Sequence, residues 1–334
     1  MIKNLALKGG GVKGIAYVGA LRELDKKGYF KPIERVSGTS AGALVALMIA
    51  LQLSPDKIED LMKSLDFKSF KTGWNPIRIF TKYGLYTGDE ILKFIHQCYD
   101  ASPLKLDKNV TFKEFEEAGG KELIVFASNL NQCNINELSG FSTPDCIVAE
   151  AVRASMSIPF FFKSWRFSNK IPTDHIYVDG GVMFNYPLSF FDKPRFHENQ
   201  LTINSETIGL FLEPKKVYEE WETNPLSKDA LTKPEKMNGP MKKPHFQKFK
   251  YNMWITNYIK ILFETLMNSQ DIELFEESHL VSRTIFIDDL GISATKFNLS
   301  DKDKENLVES GRVGAIRYFQ YIESLSKNEN KPIA

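Results

Sequence analysis

The chain has 334 residues, and its 43 Lys and Arg against 42 Asp and Glu leave a formal charge of +1, which excludes the strongly basic surface of a general nucleic-acid binder. Hydrophobic residues at 43% and charged residues at 25% are ordinary globular usage, so global disorder is excluded too. The length suffices for one large domain or two modest ones with a buried core. In chain order, residues 2–8, 33–37, 123–128, 176–178, 207–212 and 284–287 read as strands, being short, turn-bounded and rich in β-branched or aromatic residues. Helical patterns occupy about 14–27, 41–53, 55–65, 88–99, 145–154, 251–268 and 301–323. Thr111-x-x-Glu114 and Ser300-x-x-Asp303 have the spacing of capping boxes. This alternation predicts an α/β layered fold with a largely parallel sheet, and no internal repeat interrupts it.

Cys98, Cys133 and Cys146 are odd in number and lack C-x-x-C spacing, so neither a disulfide framework nor a cysteine-only zinc site is expected. The five histidines are scattered without a ligand-pair spacing, nothing marks a calcium site, and no cofactor or metal is expected. The first eight residues run into a glycine loop without a signal-peptide h-region. The most apolar run, 41–53, falls short of the roughly 20 residues that span a bilayer. A soluble protein of a reducing compartment is the expectation, cytoplasmic or peripheral to a membrane.

One stretch breaks the alternation. Between Glu213 and Lys250 there are five prolines and little apolar periodicity, and within 228–250 seven lysines face only Asp229 and Glu235. It reads as a solvated insertion, or as a lid or patch that approaches an anionic membrane surface. Without that surplus of five, the rest of the chain carries a mild negative charge of about −4.

Gly9-Gly10-Gly11-Val12-Lys13-Gly14 follows the first strand and opens a helix, satisfying G-x-G-x-x-G in a strand–turn–helix context. A ribose-binding fold needs an acid at the tip of the second strand, but that strand ends Val36-Ser37-Gly38-Thr39-Ser40. The Walker pattern fails as well, because Lys13 is followed by Gly14. What remains is a set of backbone N–H groups crowded at a helix N-terminus, suited to a phosphate or to an oxyanion. Gly38-Thr39-Ser40-Ala41-Gly42 is then G-x-S-x-G between a strand and an apolar helix, the arrangement of a nucleophile elbow. Acyl transfer needs a nucleophile and oxyanion donors together, and the two motifs lie one βα unit apart.

A base is harder to find. Ser40 comes after only two strands, too early for the α/β-hydrolase order of Ser, acid, His, and no histidine lies in a suitable late-strand loop. His175 sits four residues before Asp179 on a short strand and reads as a structural neighbour. Asp179 itself ends that strand and is followed by Gly180 and Gly181, which let its carboxylate project from the sheet edge.

Together the motifs at 9–14, 38–42 and 179–181, with Ala151-Val152-Arg153-Ala154-Ser155-Met156-Ser157-Ile158-Pro159 and the three Phe that follow, resemble the patatin-like phospholipase family over about residues 5–192. The 285–319 tail is similar to that family's usual C-terminal extension. The resemblance implies a three-layer sandwich with helices on both faces of the sheet, residues 193–334 completing it. It also implies a Ser–Asp pair with Ser40 as nucleophile, Asp179 as its base and no histidine. Backbone N–H groups of Gly9, Gly10 and Gly11 would form the oxyanion hole, and Lys13 matches a basic position in that loop. Gly14, Gly38, Gly42, Gly180 and Gly181 complete the motifs. An exposed Asp with a pKa of about 3.9 is a weak base near neutrality, so burial must raise it.

Phe160, Phe161, Phe162, Trp165, Phe167, Phe190 and Phe191 gather near these segments, as core or as an acyl-chain pocket or interfacial rim. Helix 251–268 has a narrow polar stripe and reads first as packed on the sheet, second as seated at a bilayer beside the lysines. The resulting expectation is a lipid acyl hydrolase acting on a phospholipid or glycerolipid, with peripheral membrane contact. A transacylase using the same acyl-enzyme, a dinucleotide-binding protein and a non-catalytic membrane module are the alternatives.

Overall fold

Nine strands are described in the computed structural model: β1 (Asn4–Leu7), β2 (Arg35–Thr39), β3 (Gly84–Tyr86), β4 (Glu122–Asn129), β5 (Asn134–Leu138), β6 (Phe160–Phe162), β7 (Tyr177–Asp179), β8 (Thr207–Glu213) and β9 (Thr284–Asp288). The helices are α1 (Tyr17–Lys26), α2 (Ala41–Ala50), α3 (Pro55–Ser64), α4 (Arg78–Lys82), α5 (Asp89–Ala101), α6 (Phe112–Glu117), α7 (Val148–Ser155), α8 (Ile255–Ser269), α9 (Ser278–Val281) and α10 (Asp301–Glu329). The described residues are 1–168, 171–197, 203–214, 255–270, 274 and 277–329. The basic stretch 228–250 therefore lies outside them, as does the start of the helix expected at 251.

All six runs read as strands form strands, and both capping boxes close. Thr111 and Glu114 exchange their two hydrogen bonds at the start of α6. At the start of α10, Asp303 N–H donates to Ser300 Oγ at 3.1 Å and Ser300 N–H to Asp303 Oδ2 at 3.0 Å. The helix expected from residue 14 opens instead with a 3₁₀ turn, Gly11–Ala16, before α1. Strands β3, β5 and β6 were not expected. β5 is Asn-Ile-Asn-Glu-Leu, mostly half-buried or exposed, and β3 and β6 are three-residue pieces that pair with each other as a separate parallel ribbon.

The main sheet runs β5-β4-β2-β1-β8-β9, with β4, β2, β1, β8 and β9 parallel and β5 antiparallel at one edge. Alternate side chains serve opposite faces, as a pleated strand requires. Leu5, Leu7, Leu123 and Val125 join the larger core with α1 and α2, while Ala6, Ile124 and Phe126 pack with Leu188, Phe190, Phe191 and Phe196. Those last four come from a segment with short 3₁₀ turns at Ser189–Asp192 and Pro194–Phe196, which covers the second face. The sheet with its two covers makes a three-layer α/β sandwich. Phe190 and Phe191 are thus core.

The strand that positions chemistry is β7. It pairs antiparallel with β4 over Asn129–Ala127, while β2 pairs parallel with β4 over 122–126. Because β5 occupies the other edge of β4 over 125–129, β2 and β7 share one edge and meet end to end there. Their C-terminal tips, Thr39 and Asp179, face adjacent β4 residues, Phe126 and Ala127. Residues beyond 192 extend the same sheet: β8 lies against β1, and α10 packs along α1 and β9. Among the described residues no helix is long and apolar enough to cross a membrane.

Candidate active site

Ser40 sits between β2 and α2 with φ 54° and ψ −123°, left-handed backbone that a serine adopts only when its surroundings enforce it. The enforcement is visible. α2 is buried along its whole length, and a Cβ on Gly42 would collide with the Leu7 carbonyl oxygen, so only glycine lets the helix start this close to β1. Ser40 N–H donates to Ser155 Oγ at 2.9 Å, which fixes the turn from the side of α7. The hydroxyl then lies at the N-terminus of a ten-residue helix, where the aligned peptide dipoles favour negative charge.

Ser40 Oγ donates to Asp179 Oδ2 at 2.6 Å, and Asp179 Oδ1 accepts from Gly181 N–H at 2.8 Å. Asp179 has no exposed surface and Ser40 only 4%. Burial pushes the Asp179 carboxyl up to about 7, although the bonds from Ser40 and Gly181 and the charge of Arg153 pull it down. A carboxyl poised there is close to half-ionised at neutral pH, the condition in which a group both takes and returns a proton. His175 is not part of this pair. Its Nδ1 lies 3.0 Å from Asn129 Nδ2.

Three residues of the 151–159 block hold the pair. Besides Ser155, the Ser157 carbonyl accepts from Asp179 N–H at 2.9 Å. Arg153, fully buried, donates to Ser157 Oγ at 2.7 Å and to the carbonyls of Gly88 and Thr87 at 3.0 Å each. Burial pulls its guanidinium down to about 10, which still leaves a cation near Asp179 at neutral pH. The sequence singles out this block by its resemblance but assigns it no task. Contacts made 115 residues apart, as between Ser155 and Ser40, leave no local signal.

The glycine loop lies beside Ser40 and is held by the segment after β9. Gly11 takes φ 56°, and a Cβ there would strike the Ala294 carbonyl, which also accepts from Val12 N–H at 3.0 Å. Lys13 Nζ forms a half-hidden ion pair with Asp289 Oδ2 at 2.7 Å, so it tethers the loop and is not a free surface charge. Gly9 differs from the expectation: its N–H donates to the Asn185 carbonyl at 3.0 Å and is already engaged. The amides of Gly10 and Gly11 have no protein acceptor among the described residues. Gly14, Gly38, Gly180 and Gly181 are buried where backbones or side chains pass closely: Gly38 against Gly42, Gly180 against the Phe126 carbonyl, Gly181 against Met267.

In front of Ser40 is a cavity of about 30 Å³ lined by Gly11, Val12, Met62, Phe67, Phe70, Ile91, Met156, Ile158, Phe162 and Phe297. Nearly every lining group is apolar, and the space as it stands is about the size of one water molecule. A second cleft of about 230 Å³ opens over Gly9 and Gly10, with Lys13, Asn185, Glu264 and Asp289 on its walls. α8 closes the site from above with buried Phe263 and Met267. Just past its end, Gln270 Nε2 donates to the Gly181 carbonyl at 2.7 Å and Asn185 N–H donates to Gln270 Oε1 at 2.8 Å. This helix, expected to pack on the sheet, sets that face against the turn at Gly180–Val182, while Tyr258, Leu262 and Leu266 stand exposed on it.

A family model described as patatin-like phospholipase matches residues 5–192. Uncharacterized protein R571 of Acanthamoeba polyphaga mimivirus is 35% identical over 196 residues, which are 57% of this chain and 62% of that protein. Probable lipid hydrolase 463L of Invertebrate iridescent virus 6 is 27% identical over 203 residues, 59% of this chain and 66% of that one. The chain thus spans less than two thirds of the length of either relative. Among solved structures, VipD from Legionella pneumophila is similar with a TM-score of 0.55 and 16% identity, covering 96% of this chain and 67% of VipD, a likeness of fold.

Proposed function

The chain belongs to the patatin-like phospholipase family, and from that premise we propose that it is a lipid acyl hydrolase, a serine esterase that cleaves fatty-acyl esters of phospholipids or related glycerolipids. The observation that carries this reading is the 2.6 Å hydrogen bond from Ser40 Oγ to a buried carboxylate, at the mouth of an apolar cavity. The name of the viral relative, probable lipid hydrolase, points the same way.

In the proposed mechanism Ser40 Oγ attacks the ester carbonyl carbon while its proton passes to Asp179 Oδ2. The oxyanion of the tetrahedral intermediate accepts from the Gly10 and Gly11 amides, with the α2 N-terminus adding to the positive potential. The bond to the leaving alkoxide breaks, and that oxygen takes the proton from Asp179, leaving an acyl group on Ser40. Water then gives a proton to Asp179 and attacks the acyl carbon, and the fatty acid departs as Ser40 recovers its hydrogen. Arg153 acts as a positioning residue, holding Ser157 and biasing Asp179 toward its ionised form. Substrate of this kind resides in bilayers, so peripheral membrane contact belongs to the same proposal.

The test is incubation of the purified chain with mixed phospholipid vesicles and mass spectrometry of released fatty acids and lysolipids. Release by the parent and none by Ser40→Ala is the expected result. Undiminished release by Ser40→Ala would overturn the reading. Addition of an alcohol acceptor separates hydrolysis from transacylation by whether a new ester accumulates.

A further inference from the structure

We propose that the exposed face formed by residues 73–83 and the β3–β6 ribbon seats this protein on an anionic lipid bilayer, with an adjoining basic pocket receiving a phosphate-bearing headgroup. The inference rests on the lipid-hydrolase reading and specifies where that enzyme meets its substrate surface.

The face begins in the sequence. Trp74, Ile77, Phe80 and Tyr83 recur at every third position. The backbone entering α4 makes bonds three residues back, Ile79 N–H to Pro76 and Phe80 N–H to Ile77, a period that brings Ile77 and Phe80 round to one side. All four are exposed, Phe80 to 84%. The turn is pinned from behind, because Asn75 N–H and the Arg78 guanidinium both donate to the Leu85 carbonyl, at 2.9 and 3.0 Å. Tyr83 and Phe160 carry left-handed backbone, φ 60° and 62°, which bulky residues rarely adopt, and both rings are exposed. They are linked, Phe160 N–H donating to the Tyr83 carbonyl at 3.1 Å. Large exposed aromatic and aliphatic groups gathered within one short segment and the strand bonded to it mark an interaction surface.

Charge beside the cluster selects the partner. Lys82, Lys163 and Arg166 line a pocket of about 300 Å³ with Thr81, Tyr83, Ser164 and Trp165, and no carboxylate is among its walls. Three acids stand behind these walls: Asp89 Oδ1 is 3.8 Å from Lys163 Nζ, Glu150 Oε2 accepts from Trp165 Nε1 at 3.4 Å, and Arg166 donates to the Asp174 carbonyl. Burial, together with Arg153, Lys82 and Arg78, holds the Lys163 ammonium below its ordinary pKa, so an arriving anion relieves crowding of like charge. Apolar anchors flanked by a cationic pocket match an anionic bilayer, whose surface potential attracts each nearby Lys or Arg.

Continuity with the nucleophile favours a lipid over a protein partner. Along β6, Phe160 is 44% exposed, Phe161 is half-buried and Phe162 is 2% exposed and lines the cavity at Ser40. Phe161 stacks on Phe297 with centroids 5.0 Å apart, and Phe297 lines the same cavity. An acyl chain leaving a bilayer at this face meets apolar side chains from the surface to the reacting hydroxyl. The basic stretch 228–250, for which membrane contact is also expected, lies outside the described residues, and the proposal does not depend on it.

The test uses full-length protein carrying Ser40→Ala, so that vesicles stay intact and binding is read independently of hydrolysis. Sedimentation is measured with vesicles of phosphatidylcholine alone and with phosphatidylserine added. The expected result is tighter binding to the anionic vesicles by about tenfold or more. Ile77→Ser with Phe80→Ser weakens binding to both by a similar factor, and Lys82→Glu with Arg166→Glu removes the preference for phosphatidylserine. As a second measurement, vesicles blue-shift the tryptophan emission, and Trp74→Phe diminishes the shift; an undiminished shift in Trp74→Phe would count against the proposal. Unchanged binding in either double variant, with melting temperatures like the parent's, would overturn the proposal. So would concentration-dependent dimers of the parent that Ile77→Ser with Phe80→Ser dissolves, since the face would then serve a second copy of the chain. A hydrolase reading that failed, with vesicle binding lost on cue, would leave the docking surface standing.

Discussion

Around Ser40 and Asp179 the polar atoms are buried and matched one to one: Oγ to Oδ2, Oδ1 to Gly181, Ser40 N–H to Ser155, Asp179 N–H to Ser157. Along 73–83 the arrangement is inverted, with large apolar groups facing water and cations crowded beside them. The two regions are joined by three successive phenylalanines. In the first, each group depends on a specific partner from a distant strand or helix, so a single substitution removes a function. In the second, area and charge add up over several side chains, so single substitutions erode it gradually.

That contrast can be broken at the buried end first. Ser40→Ala and Asp179→Asn should each lower turnover on phospholipid by at least about a thousandfold, because the two groups act as a unit. Their stabilities should diverge with pH. The Asp179 carboxyl titrates at about 7 when folded, above its ordinary 3.8, so the native state holds the extra proton between those values. Its contribution is fully present below 3.8 and is lost as pH rises through 7. Asp179→Asn, which keeps no charge there, should therefore melt at a higher temperature than the parent at pH 8 and close to it at pH 4. Equal shifts at both pH values would show that burial of this carboxylate carries no cost.

Next in size is Arg153→Leu. It strands the carbonyls of Gly88 and Thr87 and should destabilise the fold by about 3 kcal/mol. If Arg153 also biases Asp179, the lower inflection of kcat/KM against pH, expected near 7 in the parent, moves upward in this variant and returns in Arg153→Lys. An inflection that stays in place while stability falls would reduce Arg153 to a packing role. Smallest is Lys13→Met, which cuts the tether to Asp289 but leaves Val12 bonded to Ala294. A loss of no more than about tenfold in turnover is expected, near 1.4 kcal/mol in the barrier.

The pieces of the site that the sequence displays are those whose causes are local. Gly38-Thr39-Ser40-Ala41-Gly42 needs small residues because α2 starts against β1, and Asp179-Gly180-Gly181 needs them because the chain turns against Phe126 and Met267. What stayed hidden depends on distance in the chain. Nothing near Ser155 or Ser157 indicates that they hold Ser40 and Asp179, and nothing near Gly9 indicates that the Asn185 carbonyl takes its amide. The docking face was missed for another reason: residues 73–83 are too few for helical periodicity to be read, though their every-third spacing is plain once the turn is known. β3 and β6, three residues each, were invisible for the same cause.

Sheet order also bears on the proposed division at residue 192. β8 covers the β1 edge and α10 lies along α1, so a chain ending at 192 would expose both. Such a truncation is expected to be insoluble, and a soluble, cooperatively melting 1–192 fragment would show that residues 193–334 are dispensable to the fold.

Ser40 is proposed above as a nucleophile activated by a carboxylate poised near neutrality, and that role is open to direct measurement. It is tested most directly by the rate of labelling with a fluorophosphonate as a function of pH, with the modified residue located by peptide mass spectrometry. A single adduct on Ser40 is expected, with a rate that climbs with pH through a midpoint near 7 and near-complete loss of labelling in Asp179→Asn. An adduct on another residue, or an Asp179→Asn protein that labels Ser40 as fast as the parent, would contradict it.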